Sequence, residues 1–186
     1  MKYGPGRSFK LWDEYFTHPE AQLYYLEQDG KCVEDMKIQP RNGKVFIGSQ
    51  GDPEFMQQVA EELASLGGLD ILVDDGGHRM NFQLLTMQSM WPVIRPGGLL
   101  IVEDIHTSYL KDLGGTKDVD VRTDHTIARP STSLGRIAEL IDVLNCDVSG
   151  EECDKELLTV YCYRRTCALR KANPATEYRG PKKGDK

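Results

Sequence analysis

Short apolar runs that end in acids constrain this chain more than any other feature. Leu23-Tyr24-Tyr25-Leu26 runs into Glu27, Leu69 to Val73 into Asp74-Asp75, and Leu99-Leu100-Ile101-Val102 into Glu103-Asp104. Val45-Phe46-Ile47 is a further run, closed by Gly48. Continuous apolar runs of this length suit parallel strands covered by helices on both faces. In such sheets ligands bind at the carboxyl ends of the strands. The fold therefore gathers carboxylates on one rim.

Helical patterns separate the runs. Residues 9–17 carry a helical stripe of Phe9, Leu11, Trp12, Tyr15 and Phe16. Asp52-Pro53-Glu54 starts a second helix, with an acid at the cap, proline at the first helical position and another acid near the positive end of the dipole. It runs to about Leu66 and stops at Gly67-Gly68. A third runs from about Asn81 to Ile94, its last turn broken by Pro92. Arg95-Pro96-Gly97-Gly98 reads as a turn. Ser131 or Ser133 is expected to cap a helix bearing Ile137, Leu140, Ile141 and Leu144. Residues 157–168 read as a terminal antiparallel strand or hairpin. The polar segment 105–130 reads as a long loop that shapes a substrate pocket as a lid. Together these predict an α/β fold: a doubly wound, mostly parallel sheet with helices on both faces and a C-terminal antiparallel strand or hairpin. One domain is expected over residues 1–171, with 172–186 a disordered tail.

Composition narrows the partners. With 23 basic and 29 acidic side chains the net charge is −6, so the basic footprint of a nucleic-acid binder is missing. No apolar run approaches the ~18–20 residues of a membrane span, and Met1 to Lys10 lack the apolar stretch of a signal peptide. The five cysteines are odd in number and follow no Cys-x-x-Cys spacing. That favours a reducing, cytoplasmic setting without structural zinc.

The rim acids carry the chemistry. Gly4-Pro5-Gly6-Arg7-Ser8 precedes the first helix. Glycines there let a ligand approach the backbone, and the helix N-terminus favours an anionic group; the other reading is a flexible N-terminus. Glu27, at a strand end 23 residues after Gly4, stands where an acid accepts the two hydroxyls of a ribose, or is simply solvated. Asp75, Glu103 and Asp104 come from two strand ends, and several carboxylates stay ionised together only with a cation. Oxygen ligands suit a hard metal such as Mg²⁺; the alternative is a set of acids capping loops. Asp74 faces an adenosine or terminates its strand. His78, in a glycine-rich turn three residues after Asp75, is placed to take a proton from a substrate hydroxyl, or is a surface or capping histidine. His106 could instead be a metal ligand.

These segments occur in an order that resembles class I S-adenosylmethionine-dependent methyltransferases, and most closely the macrocin-type sugar O-methyltransferases and their cephalosporin-hydroxylase-like relatives. The matching segments are Gly4 to Ser8 ahead of Lys10-Leu11-Trp12, Leu23 to Asp29, Gly48 to Phe55, Asp74-Asp75-Gly76-Gly77-His78, Arg95-Pro96-Gly97-Gly98 and Ile101-Val102-Glu103-Asp104. The resemblance covers residues 3–109, with a fainter echo in 157–171. It implies a Rossmann-like fold that binds S-adenosylmethionine and Mg²⁺. Gly4, Gly6 and Ser8 would lie along the methionine part of the cofactor, and Glu27 would hold the ribose. Ser49 and Gln50 would meet the adenine, although the family often has an acid at the first of these. Asp75, Glu103 and Asp104 would bind the metal, and His78 matches the family's general base. The implied reaction is in-line methyl transfer from the sulfonium to a hydroxyl oxygen of a small-molecule substrate.

The family has a full strand before its glycines, whereas Met1-Lys2-Tyr3 precede Gly4 here. An N-terminally truncated domain is therefore expected, with an exposed sheet edge that invites association, as in a homo-oligomer. Two alternatives accompany the methyltransferase reading. One is an iron-dependent hydroxylase using His78, His106 and Asp75 or Asp104; the other is a non-catalytic homologue.

Overall fold

The computed structural model describes residues 7–115, 131–145 and 156–176. In chain order the elements are α1 (Arg7–Tyr15), β1 (Leu23–Glu27), α2 (Gly30–Asp35), β2 (Gly43–Ile47), α3 (Pro53–Ser65), β3 (Leu69–Asp74), α4 (Met80–Met90), β4 (Ile94–Val102), α5 (Ser133–Leu144), β5 (Leu157–Tyr163) and β6 (Thr166–Lys171). The sequence predicts one domain over 1–171; the chain gathers into two compact units, Met1–Val59 and Ala60–Lys186. Each is described by itself.

In the first unit β1 and β2 pair in parallel, with Leu23 opposite Gly43 and Glu27 opposite Ile47, so both strands end at one edge. Phe9 of α1 meets the ring of Tyr25 edge-on, 5.0 Å between centroids. The sequence pattern does not announce α2, which has no apolar stripe. Asp29 starts it: one carboxylate oxygen accepts the N–H groups of Lys31 and Cys32 at 2.9 and 3.3 Å. Asp52 caps α3 as expected, accepting from Glu54 and Phe55 at 3.0 and 3.3 Å. A Cβ on Gly48 would lie 2.5 Å from the Phe55 ring, so the first turn of α3 closes on the end of β2 only over a glycine.

The second unit holds a sheet of order β3-β4-β6-β5. β3 and β4 are parallel, and β6 is antiparallel to both its neighbours. The turn expected at Arg95–Gly98 lies inside β4 as a bulge: the register steps from Leu69 opposite Ile94 to Ile71 opposite Leu99. The Arg95 guanidinium fastens it, donating to both Asp70 carboxylate oxygens at 3.1 and 3.0 Å and to the Gly67 carbonyl at 2.6 Å. Leu100 and Val102 of β4, Met87 of α4, Ile137 of α5 and Leu157, Cys167 and Leu169 of the hairpin form the core. Burying a large aliphatic side chain contributes roughly 1.5–3 kcal/mol, so this cluster is where the unit's stability concentrates.

Among the described residues β3 is an edge strand of its sheet and β1 and β2 pair with one another; Ile47 is 55% and Ile71 43% exposed. Other expectations are revised. Thr132, not Ser131 or Ser133, caps α5, its hydroxyl oxygen accepting the Gly135 N–H at 3.0 Å. Residues 105–113 are not an open loop but two 3₁₀ turns, Ile105–Tyr109 and Lys111–Leu113; the rest of the expected lid, 116–130, lies outside the described residues. Against the expectation of a reducing setting, Cys162 and Cys167 form a disulfide. The β5–β6 register places them opposite one another, at a spacing that Cys-x-x-Cys arithmetic does not detect. Ala172 donates its N–H to the Glu156 carbonyl at 2.7 Å, and residues 177–186 of the expected tail lie outside the described residues. Among the described residues no helix is long and apolar enough to cross a membrane.

Candidate functional site

Each unit assembles its own cluster at strand ends. In the first, the parallel register brings Glu27 beside the segment that follows β2. The Gly48 N–H donates to the Glu27 carbonyl at 3.0 Å, and Ser49 and Gln50 follow directly. The Glu27 carboxylate accepts the Asp29 N–H at 3.1 Å, and the Ser49 hydroxyl oxygen accepts the Gly51 N–H at 3.2 Å. Both are held by their own turns. Ser8 sits exposed in the first turn of α1. Gly4 and Gly6 lie outside the described residues.

In the second unit β3 and β4 end together, Asp74 opposite Val102. The Glu103 N–H extends the ladder by donating to the Asp74 carbonyl at 2.9 Å. Asp74 is buried, and its carboxylate accepts the Gly76 N–H at 3.3 Å. Beyond it the chain turns through Asp75-Gly76-Gly77-His78 into α4. From the other strand end Asp104 turns back toward the same place. Asp75, His78 and Asp104 each offer a ligand atom, all within 4.8 Å of one another. His78 Nε2 is 3.4 Å from Asp104 Oδ2, and His106 Nδ1 is 3.5 Å from Asp104 Oδ1. His78 Nδ1 is buried without a hydrogen-bond partner, which leaves Nε2 as the nitrogen facing the carboxylates.

The backbone here is strained. His78 and Asp104 both adopt positive φ, 52° and 50°. The left-handed region costs a residue with a Cβ roughly 1–2 kcal/mol. Such strain persists where surrounding bonds over-determine it, and it concentrates at functional sites. Around Asp104 those bonds are explicit. Its carbonyl accepts the Thr107 N–H at 2.9 Å and the Thr107 hydroxyl at 2.8 Å, and the next N–H, of Ile105, donates to the Arg165 carbonyl at 3.0 Å. The preceding carbonyl, of Glu103, accepts from the Gln83 amide at 2.8 Å. Nothing in the apolar periodicity of α4 singles out Gln83. Asn81, Thr86, Gln88 and Ser89 of the same helix are polar too, so polarity alone does not mark it either.

The electrostatics fit a cation. Burial, followed by the charges of Asp75 and Asp104, raises the Glu103 carboxyl above the ordinary glutamate value, while His78 opposes the rise. Glu103 therefore feels the Asp75 and Asp104 charges but stands beside the converging group, not within it. Clustered oxygen donors whose charges oppose one another suit a hard divalent ion. The two-histidine arrangement is not the one that converges: among the described residues the group is Asp75, His78 and Asp104, without His106.

No protein-family model matches the chain. It is 31% identical over 140 residues to the mycinamicin VI 2''-O-methyltransferase of Micromonospora griseorubida and, over the same length, to the demethylmacrocin O-methyltransferase of Streptomyces fradiae; each alignment covers 75% of this chain and 31% of the relative. A rhamnosyl-tetracenomycin-type 3'-O-methyltransferase of Streptomyces olivaceus is likewise 31% identical, over 143 residues, covering 75% of this chain and 32% of that protein. The chain thus spans about a third of the length of the curated relatives it matches. Its fold matches that of the MycE methyltransferase of the mycinamycin pathway, solved in complex with Mg, SAH and mycinamycin VI. The TM-score is 0.73 at 26% identity, covering 92% of this chain and 41% of that one.

Proposed function

We propose, starting from a chain related to the macrocin-type sugar O-methyltransferases, that it belongs to a Mg²⁺-assisted, S-adenosylmethionine-dependent O-methyltransferase. Its substrate is a small molecule of sugar or natural-product type with a free hydroxyl. The observation that carries this reading is the convergence of Asp75, His78 and Asp104 at the ends of two parallel strands. In the same reading residues 1–171 serve as the methyltransferase domain.

Asp75 and Asp104 would hold the cation, with Glu103 beside them. Glu27 would hold the cofactor ribose, Ser49 and Gln50 the adenine, and Gly4, Gly6 and Ser8 the methionine part, while Asp74 borders the adenosine side. When bound, S-adenosylmethionine supplies the methyl group and Mg²⁺ the positive charge that lowers the pKa of the acceptor hydroxyl. His78 takes the hydroxyl proton at Nε2. Asp104, 3.4 Å away, stabilises the imidazolium that results. The left-handed backbone at Asp104, held by Gln83, Thr107 and the Arg165 carbonyl, sets its carboxylate toward His78 before substrate arrives.

Calorimetric titration with S-adenosylhomocysteine, with and without Mg²⁺, tests this. Binding is expected, and Glu27→Ala should abolish it without unfolding the protein. Folded protein that binds no S-adenosylhomocysteine under either condition would overturn the reading.

A further inference from the structure

We propose that Gln83 is a positioning residue for the cation-binding carboxylates. It holds the peptide between Glu103 and Asp104 so that Asp104 faces Asp75 and His78. The inference rests on the metal reading of that cluster. It begins from a feature the methyl-transfer chemistry does not require, which is that Gln83, Ser108 and Ser133 are all fully buried, at 0% exposure. An apolar side chain would fill such a space without needing partners, and buried polar groups persist where their bonds are completed.

These bonds form a one-way chain. Ser133 has one hydroxyl proton, and its Oγ lies 2.7 Å from Gln83 Oε1 and 3.8 Å from the weak acceptor Met80 Sδ. The hydroxyl donates to the amide oxygen. Ser133 Oγ is then free to accept from the Ser108 hydroxyl at 3.1 Å, and Ser108 Oγ accepts the Leu134 N–H at 3.2 Å. The direction of donation therefore runs from the first turn of α5 through Ser108 and Ser133 to Gln83. The Glu103 carbonyl, which only accepts, fixes which end of the amide faces which way: Nε2 toward that carbonyl at 2.8 Å and Oε1 toward Ser133. A flipped amide would set its oxygen against the Glu103 carbonyl oxygen.

The Glu103 carbonyl belongs to the peptide that enters Asp104. The peptide leaving Asp104 is held by Thr107 and by the Arg165 carbonyl. Gln83 supplies the restraint on the entering side. With both peptides held, the positive φ of Asp104 is maintained and its carboxylate stays turned toward the cluster. Without Gln83 the entering peptide can rotate, φ of Asp104 can relax, and the carboxylate swings away.

The test compares wild type with Gln83→Met, which keeps nearly the same volume without the amide. Ser133→Ala removes only the hydroxyl that donates to the amide oxygen. Ile137→Val is a core change in the same unit that leaves the chain of bonds intact. Two quantities are read: Mn²⁺ affinity by electron paramagnetic resonance, and hydrogen exchange of the Ile105 and Thr107 amides in metal-free protein. Gln83→Met should weaken Mn²⁺ binding about tenfold, which is about 1.4 kcal/mol, and speed exchange at both amides. Ser133→Ala should do the same to a smaller degree, and it carries the test if Gln83→Met does not fold. Ile137→Val should lower stability but leave both readouts at wild type; a purely structural role for Gln83 predicts that same pattern for Gln83→Met. Wild-type Mn²⁺ affinity with unchanged exchange in folded Gln83→Met, or in Ser133→Ala where the former is unfolded, overturns the proposal. Failure of the wild-type protein to bind Mn²⁺ overturns the metal reading and this inference together. The exchange measurement, made without metal, tells that failure apart from loss of positioning alone.

Discussion

The two clusters of strand-end residues are built differently. In the first unit Glu27 and Ser49 are held by hydrogen bonds to N–H groups two residues along the chain. They rest on a two-stranded sheet. In the second unit the backbone around Asp104 is held by Gln83, twenty residues away in sequence, and by Arg165 across the sheet, with a continuous apolar core beneath. A cluster set by local turns can be reshaped by a ligand at little cost. One set by distant, buried partners is fixed before any ligand arrives. Glu27 and Ser49 belong to the first kind and Asp104 to the second, which is the division that preorganised chemistry asks for.

The largest expected effect lies in the fixed cluster. Asp75→Ala should lower methyl transfer by about a thousandfold or more, because a Lewis-acid cation contributes several kcal/mol and each 1.36 kcal/mol is tenfold. Affinity for S-adenosylhomocysteine should stay near wild type by calorimetry, and a parallel loss of that affinity would break the division between the clusters. His78→Gln should follow, with kcat down roughly 10²–10⁴-fold in single-turnover assays and cofactor affinity again retained. The contrast should also appear in stability. Leu100→Ala, at a fully buried position, should cost about 2–5 kcal/mol in urea unfolding, and Ile47→Ala, on an exposed position of β2, less than about 1 kcal/mol. Equal losses would mean that the two units do not differ as described.

The smallest effect is a pH dependence. In the metal-free protein the Glu103 carboxyl is raised by burial and by Asp75 and Asp104. Between the ordinary glutamate value and the raised one, the folded state holds its proton more firmly than the unfolded state does. The stability tied to this group is therefore present below the ordinary range and is lost as pH rises through the raised value. Urea midpoints across that window should fall with pH, and Glu103→Gln or added Mg²⁺ should flatten the slope. A midpoint that rises with pH in wild type but not in Glu103→Gln would reverse the electrostatic account.

Much of this was legible in the residues, for a physical reason. The apolar runs at Leu23, Leu69 and Leu99 end in acids because parallel strands must be apolar within the sheet and become polar where they leave it, so strand ends and rim chemistry are written together. The capping of α3 was equally plain, since Asp52 and Pro53 act on the adjacent turn. What escaped depends on partners distant in sequence or on one short-range bond without periodicity. α2 is made by the Asp29 carboxylate, not by an apolar stripe. Arg95–Gly98 looks like a turn, and it becomes a bulge in β4 only because Asp70 and Gly67 receive the Arg95 guanidinium. The cap of α5 went to Thr132 because Ser133 is engaged with Gln83. The disulfide needs the hairpin register, and Gln83 matters only because Glu103 lies beside it.

The bond from the Ile105 N–H to the Arg165 carbonyl sets an order of events during synthesis. A nascent chain that has produced both parallel strands of the second unit still lacks the hairpin that pins the turn after Asp104, and that hairpin emerges some sixty residues later. Contacts so far apart along the chain form late in folding. The turn that carries Asp104 is thus among the last parts of the unit to be fastened, and a nascent chain that already carries Asp75, His78 and Asp104 would not yet hold them in this arrangement.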